Sequence, residues 1–229
     1  MPKTGPSSTS SVASQRRRAA AGNPQLQQLA DAIAACRICR DEPLRTPLPH
    51  EPRPVVRLSA TARVLIAGQA PGTRVHATGL PFNDPSGDRL RDWMAVDRDT
   101  FYDASRIAIV PMGFCFPGHD KHRGDLPPRR ECVRTWHDRI FALMPQLEVI
   151  LTMGAYAHAY HLPRLGLPYK RATSMTQTVA GWRDYVSGSP KVFVLPHPSW
   201  RNTGWLKKSP WFETDVLPLL RAQIAQTLQ

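Results

Sequence analysis

Long apolar runs and cysteines are both scarce in this chain of 229 residues. No stretch approaches the roughly 18 consecutive apolar residues of a transmembrane helix, which predicts that the protein binds no membrane. The four cysteines are too few for a disulfide scaffold of this size, and no signal-peptide core precedes them. We therefore expect a reducing, cytoplasmic compartment.

Acidic residues are few relative to basic ones. The chain has 30 Lys and Arg against 18 Asp and Glu, which gives a net charge of +12 at pH 7. Such an excess points to a polyanionic partner, most often nucleic acid, although basic charge alone is a weak signal. The remaining composition excludes collagen-like, coiled-coil and wholly disordered chains, and it favours one globular domain.

The first 24 residues differ in composition from the rest. They are mainly Ser, Ala, Gly, Pro and basic residues, include Arg16, Arg17 and Arg18 in a row, and contain no acid. Too few apolar side chains are present to offset the entropy of ordering, so we predict a disordered basic tail over 1–24 and a folded domain over 25–229. An organellar transit segment is the alternative for the tail. We expect the folded domain to be a monomer.

Four short β-branched runs alternate with helical patterns. Each run is nearly continuous in apolar residues, as strands buried on both faces of a parallel sheet must be, and each ends at a Gly or a Pro. The runs are Arg63–Ala67, Arg106–Val110, Val149–Met153 and Lys191–Leu195. Helices are predicted at 24–36, 85–97, 129–143, 154–161 and 174–186, with a last helix after Ser209-Pro210 that Pro218 should kink or restart. This alternation predicts an α/β fold, a three-layer α/β/α sandwich on a four-stranded parallel sheet.

Two of the turns that follow strands carry motifs. Ligands bind beyond the carboxyl ends of the strands in such sheets, so these turns are where function is expected. GQAPG occupies 68–72 and is followed by GLPF at 79–82, while HPSWRN occupies 197–202. A Gly-Pro turn or a His-Pro pair after a strand is most often only structural. Their occurrence together at one edge of a sheet is a more specific signal.

These motifs resemble those of the uracil-DNA glycosylase superfamily. GQAPG is similar to the GEAPG first motif of the family 4 enzymes, and GLPF matches the segment that carries a base-stacking Phe. HPSWRN is similar to the second motif, with an Arg-Asn ending like that of the single-strand-selective monofunctional glycosylases. The resemblance covers about residues 30–220. It implies the uracil-DNA glycosylase-like fold and an enzyme that removes a base from DNA.

The resemblance assigns roles at the sheet edge. Cleavage of an N-glycosidic bond places negative charge on the leaving base, and His197 is the candidate for a fixed donor that stabilises this charge. Phe82 would stack on a base flipped out of DNA, with a core aromatic under a turn as the alternative. Asp84 is favoured to orient water, with Asn83 and Gln69 beside it, and a helix cap is the alternative for Asp84. The small residues expected to border the base are Gly68, Ala70, Gly72 and Ser86.

Four positions depart from the superfamily pattern. The most active family has an Asp where this chain has Ala70, and family 4 has an acid where this chain has Gln69. An Asn that usually reads the base edge after the second strand is replaced by Pro111. Gly72 stands in place of a bulky Tyr that excludes 5-methyl groups. A more open pocket is therefore expected, one that accepts 5-substituted uracils or deaminated purines.

The segment after the last strand interleaves aromatic and basic side chains. Lysine and arginine neutralise phosphates, and an aromatic ring or an arginine can fill the gap that a flipped base leaves. Contact with DNA is predicted for Ser199, Trp200, Arg201, Asn202, Lys207 and Lys208. Packing under the last helix is the alternative explanation for Trp205 and Trp211.

The four cysteines form a Cys-x2-Cys pair and two single positions. They are Cys36, Cys39, Cys115 and Cys132. Their spacing fits a four-thiolate site for an iron–sulfur cluster or zinc as well as it fits buried free thiols. The family 4 resemblance implies a [4Fe–4S] cluster on the same arrangement, in a structural role.

Other polar residues have simpler explanations. The loop with His119, His122 and Asp125 is most simply solvated, with a metal or DNA contact as the alternative, and His158 and His161 are interpreted as surface or packing residues. The resemblance implies a monofunctional enzyme that hydrolyses the bond to uracil or a related deaminated base in single- or double-stranded DNA and initiates base excision repair. A protein of the same fold that only binds DNA is one alternative, and an unrelated nucleotide hydrolase is another.

Overall fold

A parallel sheet forms the centre of the molecule. The computed structural model describes residues 23–122 and 124–229, and within them the sheet has the strand order β2-β1-β3-β4. The strands are β1 (Val64–Ala67), β2 (Ile107–Ile109), β3 (Val149–Met153) and β4 (Lys191–Leu195). All neighbouring pairs are parallel. The predicted fold class is confirmed, and each strand lies within one residue of its predicted bounds.

The strands are apolar because both faces of the sheet are covered. Every residue of β1, β2 and β3 is buried, and in β4 only Lys191, at its start, is exposed. Ile66 of β1 pairs with Ile109 of β2 and Leu151 of β3, so these strands end at nearly the same level. The turns that follow the four strands consequently meet at one edge of the sheet.

Helices fill the connections between the strands. Before β1 lie α1 (Pro24–Ala34) and α2 (Ile38–Asp41), and between β1 and β2 lie α3 (Thr73–Thr78), α4 (Pro85–Met94) and α5 (Arg98–Tyr102). Between β2 and β3 lie α6 (Arg130–Cys132), a π-helical turn (Val133–His137) and α7 (Asp138–Ala142). Between β3 and β4 lie α8 (Ala155–Arg164), α9 (Met175–Ala180) and α10 (Arg183–Val186). After β4 come a 3₁₀ turn (Trp200–Asn202), α11 (Thr203–Lys208), a second π-helical turn (Phe212–Val216) and α12 (Leu217–Thr227).

Several helices differ from the predicted segments for local reasons. α4 ends before its predicted bound because Ala95 has a left-handed backbone, with φ of 52°. The single helix predicted over 174–186 is divided after Ala180, where Gly181 forms the C-cap of α9. Pro218 is the second residue of α12, which starts directly after the π-helical turn, so the helix restarts at this proline as predicted.

The described residues begin at Asn23, so the tail predicted over 1–24 lies almost wholly outside them. The side chain of Asn23 accepts hydrogen bonds from the N–H groups of Gln25 and Leu26, and this cap begins α1 at Pro24. Among the helices of the described part of the chain, none combines the length and apolar character needed to cross a bilayer.

Candidate active site

A cavity of about 540 Å³ opens at the carboxyl edge of the sheet. Its volume is in the range of small-molecule sites, roughly 300–1,000 Å³. Most of the residues predicted from the motifs line it. These are Gly68, Gln69, Ala70, Gly72, Phe82, Asp84, Ser86, His197, Ser199, Trp200, Arg201 and Asn202. Asn83, Lys207 and Lys208 lie outside this wall, and both lysines are exposed in the last turn of α11.

Phe82 is held in the cavity wall by two glycines. A Cβ on Gly68 would lie 3.3 Å from the ring carbon Cζ, so this glycine lets the ring pack against the end of β1. A Cβ on Gly87 would lie 1.8 Å from the carbonyl oxygen of Phe82, so only glycine fits there. Phe82 itself has a left-handed backbone, with φ of 54°, and contacts Phe101 edge-to-face with ring centroids 6.0 Å apart. Backbone strain of this kind, about 1–3 kcal/mol, is concentrated at ligand-binding sites.

Asp84 both caps a helix and lines the cavity. Its Oδ1 accepts a hydrogen bond from the N–H of Gly87 at 2.9 Å, and α4 begins at the next residue, Pro85. A carboxylate has a second oxygen, so the cap leaves Asp84 able to act on a ligand. The adjacent Asn83 instead accepts a hydrogen bond from Arg98 Nη2 at 3.3 Å. Of the two neighbouring candidates, Asp84 is therefore the one placed at the cavity.

His197 faces the cavity in a defined tautomer. The N–H of Ser199 lies 3.3 Å from Nδ1, so that nitrogen is the acceptor and the neutral ring carries its proton on Nε2. Burial lowers the pKa of His197, while the charges of Asp84 and Asp125 act to raise it. The side chain of Asn202 donates to the carbonyl of His197 at 2.7 Å and closes the loop after β4 on itself. The arrangement supplies a neutral N–H donor at neutral pH.

The start of the loop after β2 contributes backbone and apolar surface to the cavity. The N–H groups of Met112 and Gly113 donate to the carbonyls of Gly68 and Gln69 at 3.0 and 2.9 Å. Pro111 lines the cavity and has no N–H. The backbone of residues 111–113 therefore offers no free N–H to a ligand, because two of these groups bond to the first motif and Pro111 has none. Within the motif at 68–72, Gln69 has the one polar side chain.

Trp200 and Arg201 form an exposed part of the wall. Trp200 is 76% exposed, and the guanidinium of Arg201 lies 5.9 Å from the centre of its ring. A large aromatic ring exposed beside a cavity indicates a contact surface. Trp205 and Trp211 instead pack edge-to-face on each other and on Phe212, which favours the structural explanation for these two.

All four cysteines are free thiols, and three of them are buried. A hydrogen bond between the thiols of Cys39 and Cys115 lowers the pKa of Cys39 and raises that of Cys115. Cys132 Sγ accepts a hydrogen bond from the N–H of Phe114 at 3.3 Å, and burial raises the pKa of Cys132 to about 12, with the nearby Cys39 and Cys36 acting in the same direction. Four neighbouring thiols are the donor set of an iron–sulfur cluster or a zinc ion. Over residues 23–122 and 124–229, however, no three Cys, His, Asp or Glu side chains are arranged to hold a metal ion.

Two features of the structure differ from the sequence interpretation or go beyond it. Asp125, interpreted as a solvated loop residue, lines the cavity together with Leu126. Asp125 is far along the chain from both motifs, so no local sequence pattern indicates that it lines the cavity. His158 and His161 are both fully inside the protein, and His158 Nε2 donates to the carbonyl of Thr152 at 3.0 Å. The packing explanation therefore holds for these two, and a surface position is excluded.

Comparison with known families agrees with this architecture. The sequence model described as Uracil DNA glycosylase superfamily matches residues 56–221. The match covers most of the chain, and it includes all four strands and every cavity-lining residue except Val55. It supports a glycosylase that acts on DNA. The protein therefore belongs to the uracil DNA glycosylase superfamily.

Proposed function

We propose that the protein is a monofunctional DNA glycosylase that hydrolyses the N-glycosidic bond of uracil or a related deaminated base and so initiates base excision repair. The observation that carries this proposal is that His197 and Phe82 line the same cavity. The products are the free base and an abasic site. Among the described residues, no lysine lines the cavity, which leaves no amine there to form a Schiff base with the sugar.

The reaction breaks the bond between C1′ and the base nitrogen, and its electron pair goes to the base. Phe82 stacks on the flipped base, and Nε2–H of His197 donates to the base oxygen that gains negative charge. Because Ser199 fixes the tautomer, this donor needs no reorganisation as the charge develops. Water forms the new bond to C1′ and loses a proton to solvent. The free oxygen of Asp84 orients this water and stabilises the cationic sugar.

A uracil-containing oligonucleotide, single- or double-stranded, tests the activity. Treatment with the protein and then hot alkali should cut the strand at the abasic site. His197→Ala is expected to lower the single-turnover rate at least about a hundredfold, because it removes the donor to the leaving base. His122→Ala, an exposed histidine outside the cavity wall, is the control and should cleave at the wild-type rate.

A DNA-binding protein without activity is the second candidate, and Pro111 is the observation that favours it. The position at the end of β2 offers neither an N–H nor a polar side chain to a base. Binding of the uracil oligonucleotide without scission by wild-type protein would select this candidate. Scission that persists unchanged in His197→Ala would remove His197 from the mechanism.

We propose that the enzyme accepts more bases than unmodified uracil. No heavy atom lies within 4 Å of a Cβ built on Gly72, so the wall is open there. The amide of Gln69 can both donate and accept, so it does not demand one base-edge pattern. Gly72→Tyr should fill the opening and lower excision of 5-substituted uracils about tenfold relative to uracil, while the control Gly72→Ser should leave the ratio unchanged. Wild-type excision of uracil alone, from a panel of 5-substituted uracils and deaminated purines, would contradict the proposal.

We propose that DNA lies across the loop after β4 and α11, on Ser199, Trp200, Arg201, Asn202, Lys207 and Lys208. The exposure of Trp200 and of the basic side chains supports this surface. Arg201→Ala should weaken DNA binding and reduce the slope of log affinity against log salt by about one. An unchanged salt slope would count against a phosphate contact by Arg201.

We also propose that the chain is closest to the family 4 type and that its four cysteines hold a [4Fe–4S] cluster. The thiol–thiol contact of Cys39 with Cys115, and the closeness of Cys132 to Cys39 and Cys36, support a shared site. Such a cluster would tie α2 to the loop after β2 and to α6 as a structural support. Anaerobically purified protein should be brown, with iron and sulfide that Cys132→Ser loses. Colourless protein that holds zinc, or no metal, would contradict the cluster.

A further inference from the structure

A hairpin after β2 brings a second carboxylate to the cavity. Its arms are residues 118–120 and 124–126, and His119 and Asp125 face each other across an isolated antiparallel bridge. Asp120 Oδ1 accepts hydrogen bonds from the N–H groups of His122 and Gly124, at 2.8 Å each. These bonds fix the shape of the hairpin.

Asp125 is held by a chain of side chains that begins beside the first motif. His119 Nδ1 lies 3.2 Å from Asp125 Oδ1, and His119 Nε2 lies 3.2 Å from Thr73 Oγ1. Thr73 is the first residue of α3 and directly follows Gly72. The ring of His119 also packs edge-on against Phe116, with centroids 4.9 Å apart. The carboxylate is thus oriented from the turn that borders the cavity.

Asp125 shares the cavity wall with Asp84 and His197. Both carboxylates act on the pKa of His197 in the same direction, which places their charges within reach of its ring. Each has one oxygen engaged, that of Asp84 by Gly87 and that of Asp125 by His119. Among the described residues, none bonds to the second oxygen of either carboxylate, which leaves that oxygen to a ligand. Two anionic groups therefore border the space in which a deoxyribose would become cationic.

We propose that Asp125 is a second catalytic carboxylate of the glycosylase reaction and that His119 and Thr73 are its positioning residues. This inference rests on the proposed function. The C1′–N bond breaks with its electron pair going to the base, and the charges of Asp84 and Asp125 together stabilise the positive sugar. Water then bonds to C1′, and its proton passes to solvent.

The exposure of Asp125 in the free protein fits this role. Its side chain is 60% exposed. DNA lying over the cavity would remove water from this carboxylate and so strengthen its Coulomb interaction with the sugar. A pair of acids outside the first motif also compensates for the Asp that the motif lacks at Ala70.

Asp125→Asn tests the proposal because it removes the charge and keeps the shape. We expect single-turnover cleavage of the uracil oligonucleotide to slow about tenfold or more. DNA binding should be unchanged or tighter, since a negative charge near the phosphates is lost. This retained binding also reports that the variant is folded. Asp99→Asn makes the same charge change at an exposed position of α5, outside the cavity wall, and should cleave at the wild-type rate.

His119→Ala tests the positioning role through a double-mutant cycle. The substitution should slow cleavage in the wild-type background and add nothing in the Asp125→Asn background, because the two residues act as a unit. A purely structural role of His119 would slow both backgrounds by the same factor, and this outcome would overturn its assignment as a positioning residue.

The remaining outcomes separate this inference from the proposed function. Wild-type protein that cleaves, with Asp125→Asn cleaving equally fast, would overturn the role of Asp125 and leave the glycosylase standing. Slower cleavage accompanied by equally weakened DNA binding would also overturn it, because Asp125 would then be structural. Wild-type protein that binds DNA and cleaves none of the substrates would overturn both.

Discussion

Gly87 lies so close to Phe82 that one added methyl group would decide the geometry of the site. A Cβ at this position would meet the carbonyl oxygen of Phe82 at 1.8 Å and its carbonyl carbon at 2.6 Å. Both are backbone atoms and cannot turn aside as a side chain would. The N–H of Gly87 is also the donor to Asp84, so the same residue holds the stacking ring and the carboxylate.

Gly87→Ala should therefore affect stability and activity together. We expect the free energy of unfolding to fall by about 1–3 kcal/mol, because the new methyl group forces the backbone at Phe82 to move. Single-turnover cleavage should slow as well, since the ring and Asp84 move with it. Urea denaturation and the oligonucleotide assay measure the two effects.

Gly204→Ala is the matched control for this substitution. A Cβ on Gly204, an exposed residue in the first turn of α11, would have no heavy atom within 4 Å. Replacing glycine by alanine where the backbone accepts it should leave stability unchanged or raise it by about 0.4–1 kcal/mol. If Gly87→Ala were as stable and as active as Gly204→Ala, the close packing at Phe82 would have no role.

At the scale of elements, Arg89 joins the two segments that carry the site. It projects from α4, the helix that Asp84 caps, to the loop after β4. Its guanidinium donates to the carbonyls of Ser199 and Pro198 at 3.0 and 3.4 Å and to Thr203 Oγ1 at 3.3 Å. One side chain thus fixes the distance between the Phe82 segment and the loop that contains His197.

Arg89→Ala should loosen this loop and slow cleavage about tenfold or more, because a small displacement of a fixed donor weakens its action on the transition state. Arg89→Lys should fall between wild type and Ala, since an ammonium group cannot span three acceptors as a guanidinium does. Steady-state kcat and KM on the uracil oligonucleotide measure the effect.

Arg63→Ala, which removes an exposed ion pair with Glu148, is the control and should keep full activity. Equal losses in Arg89→Ala and Arg63→Ala would contradict the link.

Elements with a local signal could be predicted from the sequence. β3 has its predicted bounds because a strand buried on both faces is a continuous apolar run, and such a run needs no tertiary knowledge to be seen. The residues after β1 and β4 could be predicted as one site because strand ends in a parallel sheet share an edge. Both signals are contiguous in the chain.

Elements that depend on distant contacts could not be predicted. Asp125 lines the cavity from a hairpin whose His119 contacts Thr73, far away in sequence. The left-handed backbone of Phe82 is stabilised by packing against Gly87 and Phe101, and nothing in the residue type indicates it. The division between α9 and α10 likewise follows from the C-cap at Gly181, since the apolar pattern continues through it.

At the scale of the whole molecule, three buried histidines couple stability to pH. They are His137, His158 and His161. Burial lowers the pKa of His137 and of His158 to about 4, and it lowers that of His161 well below the ordinary value of 6.5. The unfolded chain therefore binds more protons than the folded protein between these values, and the neutral rings favour the folded state only while the solution is not acidic.

The free energy of unfolding should be highest above pH 6.5, where these histidines are mostly neutral in the unfolded chain as well. It should fall as the pH drops from 6.5 to 5, a window in which most carboxylates stay ionised. Each buried histidine should contribute a slope of about 1.4 kcal/mol per pH unit toward the acidic side of this window. Urea denaturation at a series of pH values measures the slope.

His137 packs flat on Phe114, with centroids 5.2 Å apart, so a phenylalanine can replace it among the aromatic rings in His137→Phe. This variant should lose the part of the slope that one histidine contributes, about 1.4 kcal/mol per pH unit. The exposed His122→Gln should keep the full wild-type slope. An identical slope in wild type and His137→Phe would mean that His137 does not resist protonation in the folded protein.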